Sequence, residues 1–403
     1  MIKIIHLLLI IFYNITFVNC LFIGGIGYHS FYIDNKLYFT QDFLQFYVDL
    51  NGVALENNTI HISQWIFIND TPSYVVVNNP FVGGKANSKL FFVDKSIDGL
   101  HVDTFDAALS KWETNISYQG LPNEFASLHK TWVTNETNGI SYTFEELEYG
   151  IIMFDTINYV WMNSNFSILN LKNLFSQSSS PDYKNYVPVL LSSGQILYIG
   201  GKSTSNPILM NRILAYDCVK DSWQIINTTG KTPEERIDHT AVLASHGRVI
   251  VYGGNNNLSI PATPIFGAPN EENSLGSLAG HTSVMVKNYM ITAFGTNISG
   301  IDRNVNKIYK LDTSNILKYT WSFVSDFNNQ SITISQYNNS SPISPVPPTQ
   351  TNSVDGNTSV SSFNSIKSST LLVVTILVIV VSLICLLILI VYKIKKKTNS
   401  VNN

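Results

Sequence analysis

The sequence predicts an all-β chain: a β-propeller of six four-stranded blades, one or two of them degenerate, around one axis, followed by a single C-terminal transmembrane helix. Three observations carry this. First, a short phrase recurs, an aromatic and an Asp with a Trp seven residues after the aromatic: Phe105-Asp106 with Trp112, Phe154-Asp155 with Trp161, and Tyr216-Asp217 with Trp223. Second, hairpin-like runs end in glycine at a constant distance of 14 residues, from Tyr186 to Gly200, His239 to Gly253 and His281 to Gly295. Third, 45% of the 403 residues are hydrophobic and 12% aromatic, and Val, Ile, Thr and Tyr recur throughout, residues that suit a pleated, half-buried surface.

The units start near 28, 80, 128, 185, 236 and 280. The first opens on "HSFYIDNKLYF", a hairpin turning at Asp34 and Asn35. The second holds Gly83-Gly84 and the Trp112 phrase, and the third the Trp161 phrase. The fourth reads in full: "YVPVLLSSGQILYIGG" with a turn at Ser193 and Gly194, the pair Gly200-Gly201, then "RILAYDCV" and "SWQII" closing on Trp223. The fifth opens with Arg236 and His239 in "RIDHTAV", turns at His246 and Gly247 and reaches Gly253-Gly254. It then departs, because no aromatic–Asp…Trp phrase stands between 255 and 280. The sixth opens on His281, turns at Lys287 and Asn288, and ends with Tyr309, Asp312 and Trp321 across a longer turn.

A four-stranded unit of about 50 residues cannot bury both of its faces alone; stacked radially, such units share their faces and leave only short edges. Trp112, Trp161, Trp223 and Trp321 are expected to pack between neighbouring blades, where an indole contributes a large buried area. Gly200, Gly201, Gly253 and Gly254 are expected where one backbone passes another too closely for a side chain. His239 and His281 are expected as blade-opening structural residues.

On these motifs the chain resembles the kelch-repeat proteins, which share their propeller with galactose oxidase. The resemblance is firm over 185–325 and weaker over 21–165. It implies a propeller scaffold and, as an alternative function, a copper radical oxidase, in which two Tyr and two His hold copper and one Tyr is cross-linked to a Cys. His29, His129, His239 and His281 are read at repeat positions, however, His6 falls in the signal and His246 lies in a hairpin turn. His61 and His101 remain, and Cys218 reads as a small filler of the third strand. No catalytic residue, metal or cofactor is therefore expected.

The two ends predict export. Residues 1–20 have Lys3, the apolar run "IIHLLLIIF" and a small residue at Cys20, as in a cleaved secretory signal. Residues 370–392 are 23 uncharged residues, about 35 Å as a helix and long enough for a hydrocarbon core of roughly 30 Å. Lys393, Lys395, Lys396 and Lys397 follow, the positive-inside pattern of a short cytoplasmic tail, 393–403. Residues 328–369, rich in Ser, Thr, Asn and Pro, read as a disordered stalk, leaving 21–327 as the extracellular or lumenal propeller of a single-pass protein of the cell surface or an endomembrane. Only Cys218 lies in the exported part, so a core rather than a disulfide has to hold it. Sequons at Asn57, Asn69, Asn115, Asn135, Asn165, Asn227, Asn257, Asn297 and Asn329, with others at Asn338, Asn339 and Asn357, fit an exported glycoprotein.

A net charge of −3, with no basic stripe outside the tail, argues against nucleic-acid binding. No G-x-S-x-G elbow, H-E-x-x-H helix or paired-Cys motif is present. The expected function is recognition or adhesion: a protein or glycan ligand held by propeller loops, the variable ones being 51–62, 166–184, 202–211 and 255–280.

Overall fold

A computed structural model describes residues 27–41, 44–57, 64–68, 80–96, 99–120, 131–145, 150–164, 183–203, 206–255, 265–266, 271–272, 275, 278–297, 305–326 and 331–334. The chain divides into two compact units, Met1–Asn338 and Asn339–Asn403, and all described residues belong to the first. The predicted signal at 1–20, the span at 370–392 and the tail lie outside the described residues. No helix among the described residues is long and apolar enough to cross a membrane.

The first blade is β1 (His29–Ile33), β2 (Lys36–Gln41), β3 (Leu44–Asp49) and β4 (Gln64–Phe67). The second is β5 (Phe81–Gly83), β6 (Lys89–Ser96), β7 (Gly99–Asp106) and β8 (Lys111–Glu113); the third is β9 (Trp132–Asn135), β10 (Ile140–Glu145), β11 (Gly150–Asp155) and β12 (Val160–Asn163). After β13 (Tyr183–Lys184) comes the fourth blade, β14 (Val187–Leu190), β15 (Gln195–Ile199), β18 (Arg212–Asp217) and β19 (Ser222–Asn227); β16 (Lys202–Ser203) pairs with β13 on one side and β17 (Asn206–Pro207) on the other in a small side sheet. The next unit holds only β20 (Thr240–Leu243), β21 (Val249–Tyr252) and the two-residue β22 (Ile265–Phe266). The last blade follows β23 (Glu271–Glu272) and β24 (Leu278–Ala279). It is built from β25 (Thr282–Val286), β26 (Tyr289–Ala293), β28 (Lys307–Asp312) and β29 (Tyr319–Asp326), with β23 added alongside β29; β24 pairs with β27 (Thr296–Asn297).

The expectation of six four-stranded blades is therefore corrected. The propeller has five blades, and the unit near 236 is a truncated sheet of three described strands. The physical reason is visible in the sequence of that unit. It lacks the aromatic–Asp…Trp phrase, so nothing specifies its last hairpin. A second correction concerns the segment read as stalk. Residues 331–334, "SITI", form β30 (Ser331–Ile334), which pairs in parallel with β4 of the first blade, Ile332 opposite Trp65. Its consecutive β-branched residues Ile332, Thr333 and Ile334 suit a strand, and the Ser-, Asn- and Pro-rich composition around it hides them.

Six apolar clusters hold the ring, each shared by two neighbouring units. The first blade packs on the second through Ile33, Tyr38, Leu90 and Phe105. Second meets third through Phe91, Val102, Phe154 and Trp161, and third meets fourth through Phe144, Ile151, Tyr198 and Trp223. Val189, Leu197, Ala241 and Val251 join the fourth blade to the truncated unit. Tyr252, Ile250, Met290 and Trp321 join that unit to the last blade. The ring closes where Phe294, Ile291 and Ile308 of the last blade meet Phe39, Phe46 and Trp65 of the first. Because each blade is covered on both faces, its second strand reads as a nearly continuous apolar run, as in "QILYI" of β15 and "YMITA" of β26, the pattern of a strand buried on both sides.

The recurrent phrase now has a geometric meaning. The aromatic and the Trp stand directly opposite each other across the outer hairpin: Phe105 with Trp112, Phe154 with Trp161, Tyr216 with Trp223. In each pair the rings lie 4.3–5.3 Å apart, and such cross-strand pairs stabilise a sheet. The Asp ends the third strand and caps the turn. Asp106, Asp155 and Asp217 each accept two main-chain N–H bonds at 2.9–3.0 Å, an Asx turn. Asp49 and Asp312 do the same with one N–H each, from Asn51 and Ser314. Five blades thus carry five capping Asp residues and a Trp on each of their five fourth strands. The sequence pattern finds four of these Trp and misses Trp65, because the first blade joins its third and fourth strands through residues 50–63 instead of a tight turn.

Candidate functional site

The two ends of the propeller are built from different chemistry. At one end the second strands finish and the glycine pairs lie. Gly200, Gly201, Gly253 and Gly254 all have φ between +61° and +88°, a region that favours glycine. The first of each pair faces the next unit: a Cβ on Gly200 would meet His239 Cε1 at 2.5 Å, and one on Gly253 would meet Leu278 O. The second faces its own unit's entry, Gly201 against Lys184 O at 2.5 Å and Gly254 against Ile237 O at 2.6 Å. Gly83-Gly84 is not an equivalent pair. It ends the inner strand β5, and Gly84 donates to Thr156 Oγ1 of the third blade at 2.7 Å.

His239 and His281 are buried at this end. Burial holds each imidazole down to about 3, and for His239 the nearby Arg236 guanidinium adds to the effect. His281 Nε2 lies 2.8 Å from Thr240 Oγ1, and its ring packs edge-on against Tyr252. Arg236, fully buried, donates to the main-chain carbonyls of Gly253 and Glu234. These are structural groups that tie one unit to the next. They have a consequence for pH. The folded pKa of both His lies below the unfolded value of about 6.5, so acid protonates the unfolded chain first. Their contribution is complete above about pH 6.5 and is lost as pH falls from there towards 3, at about 1.4 kcal/mol per pH unit for each His. Paired carboxylates, whose folded pKa is depressed, lose their contribution only below about pH 4. Urea titrations at pH 7, 6 and 5 are expected to show stability falling over this range, and His281→Gln is expected to reduce the slope. Stability that stays flat between pH 6.5 and 5 would show that these imidazoles are not held neutral.

At the other end lie the turns of every blade's two hairpins, because the first and third strands of an antiparallel sheet finish on the same side. Main-chain bonds join them at the same place: Leu50 N to Asn35 O, Ala107 N to Ser88 O, Thr156 N to Gly139 O, Cys218 N to Gly194 O and Thr313 N to Asn288 O. This face holds a cavity of about 830 Å³ bounded by the inner strands β9, β14, β20 and β25 of four successive units. Its walls are largely apolar, including Val133, Leu190, Val242, Val284 and Met285. Thr134, Asn135, Glu136, Thr137, Ser192, Ser193 and Ser283 are the polar residues of its lining. That volume and balance match those of small-molecule and side-chain sites. Among the described residues no Lys, Arg or His lines it.

The outer turns of the same face expose large aliphatic side chains: Leu109 in the second blade, Ile157 in the third, Val219 in the fourth, and Ile316 and Leu317 in the last. Val219, 83% exposed, also lines the cavity. Residues on this face escape sequence reasoning. The turn positions are recognisable, but nothing in the pattern tells that the turns of separate blades share one surface.

The copper-oxidase set does not assemble among the described residues. Cys218 sits in the turn just after β18, not within the strand, and touches Tyr142; burial pushes that thiol up to about 11 and that phenol up to about 12, which opposes phenolate and thiolate ligation. His239 and His281 belong to the opposite end, and His101 lies on β7 with its Nδ1 3.3 Å from Asn115 Oδ1. No group of three His, Cys, Asp or Glu suited to a metal occurs among the described residues. Of the variable loops, 58–62, 166–182, 204–205 and most of 256–277 fall outside the described residues, as do the sequons at Asn69, Asn165, Asn257 and Asn329. Asn57, Asn115 and Asn227 are exposed, and Asn135 and Asn297 are half-buried.

No family model matches the chain, and no curated protein matches it. Among solved structures, the one titled "Structure of YjhT" is similar, with 9% sequence identity and a TM-score of 0.51, over 74% of this chain and 98% of that one. At that identity the likeness establishes the fold alone, and it agrees with the sheets described above: this chain is a β-propeller.

Proposed function

We propose that this chain is a kelch-type recognition module that works on the extracellular or lumenal side of a membrane, without chemistry of its own. The observation that carries this reading is the cavity of about 830 Å³ opening among exposed apolar turns on one face of a closed ring. A rigid scaffold that presents such a face binds without paying much ordering entropy. The glycine pairs and the aromatic–Asp…Trp hairpins support the kelch assignment. The exposed sequons at Asn57, Asn115 and Asn227 support the exported location. The oxidase alternative is not favoured by any observation at the cavity.

Two measurements test the reading. Expressed in a secreting eukaryotic cell, the chain is expected to carry N-glycans at Asn57, Asn115 and Asn227 by peptide mass spectrometry before and after glycosidase; unmodified Asn at all three would sink the exported location. Screening the secreted protein against immobilised glycans and secreted proteins is expected to give binders that Val219→Asp abolishes. Binders indifferent to that substitution would remove the turn face as the site.

A further inference from the structure

We infer that the turn face takes a protein, not a glycan, and that the partner inserts an apolar side chain, flanked by a basic residue, into the cavity beside Glu136. This rests on the recognition reading above and narrows it to one ligand class.

Three features point the same way. The exposed crown is aliphatic: Leu109, Ile157, Val219, Ile316 and Leu317 at 44–83% exposure. Sugars are held by aromatic platforms and dense hydrogen bonding, whereas aliphatic side chains lose water favourably only against other apolar surface, at about 25 cal/mol per Å². Scattered exposed aliphatics are ordinary on a protein surface, but these all lie in the outer turns of four blades on one face, which marks an interaction surface. Second, the crown meets the pocket at Val219, which is exposed and lines the cavity as well. A pocket walled by Val133, Leu190, Val242 and Met285 suits a single projecting apolar knob, the arrangement of a buried interface anchor surrounded by less critical contacts. Third, the charge is one-sided. Among the described residues Glu136 is the only charged one lining the cavity, so an anionic knob would be repelled and a basic neighbour attracted; such charges set specificity more than affinity.

Glu136 and Val219 both lie in exposed turns, so substitutions there leave the buried interfaces untouched. The test selects a random twelve-residue peptide library on the secreted protein, with a glycan array probed in parallel. Peptides with an aromatic or large aliphatic residue next to Lys or Arg are expected to be enriched. Their affinity is expected to fall roughly tenfold or more for Val219→Asp, the size of a hot-spot loss, and about threefold for Glu136→Gln. Leu209→Asp, an exposed site at the opposite end, is expected to leave binding unchanged. Glycans that bind and are lost with Val219→Asp would overturn the ligand class while keeping the face. Ligands of either class that ignore Val219→Asp would overturn the face itself. A library that yields no peptide on the folded protein would likewise overturn the inference.

Discussion

Trp65→Ala is expected to destabilise the propeller by about 3–5 kcal/mol, the range for deleting a buried indole. Trp65 is fully buried on β4, its ring within 5.3 Å of Phe46, 5.9 Å of Phe39 and 6.5 Å of Phe294. Phe294 belongs to the last blade, so this cluster is the place where the two ends of the ring meet. β30 also lies against β4 at this residue. An alanine there leaves a cavity among rings that cannot collapse without parting the first blade from the last. Trp112→Ala is the internal comparison. Trp112 is only partly buried and sits between blades that the chain connects directly, so its loss is expected to cost distinctly less. Urea denaturation of both variants, with unchanged slope, measures the difference. Equal losses would mean that the junction of first and last blades has no special place in stability.

Gly253→Ala is expected to be nearly as damaging for a different reason. The residue has φ +64°, which costs a side chain about 1–2 kcal/mol. A Cβ would in addition strike Leu278 O and come within 2.7 Å of His281 Cε1, and overpacking against backbone adds roughly 1–3 kcal/mol. Gly230→Ala separates the two effects. Gly230 has φ +90° but nothing within 4 Å of a Cβ, so only the conformational cost applies. The expected result is a denaturation midpoint lowered modestly by Gly230→Ala and far more by Gly253→Ala. If the two variants were alike, the glycine pair would be needed for its backbone angle alone and not for the close approach of two units.

The contrast between these two residues shows where sequence reasoning succeeded. Gly253 was legible because its pair recurs at a constant distance from each hairpin start. The Trp at 112, 161, 223 and 321 were legible because a tight turn keeps their distance from the aromatic partner constant. Trp65 was not, since a long connection destroys the spacing while preserving the contact. The blade count failed for a related reason. A hairpin with its histidine and glycine pair looks like the opening of a full blade, and whether a fourth strand follows depends on residues 255–280, which carry no recurrent phrase.

By itself the amino-acid sequence determined that this chain is all-β, where its hairpins turn, and which aromatic, Asp and Gly residues repeat, because those features depend on neighbours a few residues away. Only the tertiary structure decided that five blades rather than six are complete, that β30 returns to the first blade, and that Val219, Glu136 and the inner strands of four units enclose one cavity. These contacts join residues from separate units of the chain, and short-range periodicity carries no information about which turns finally share a face.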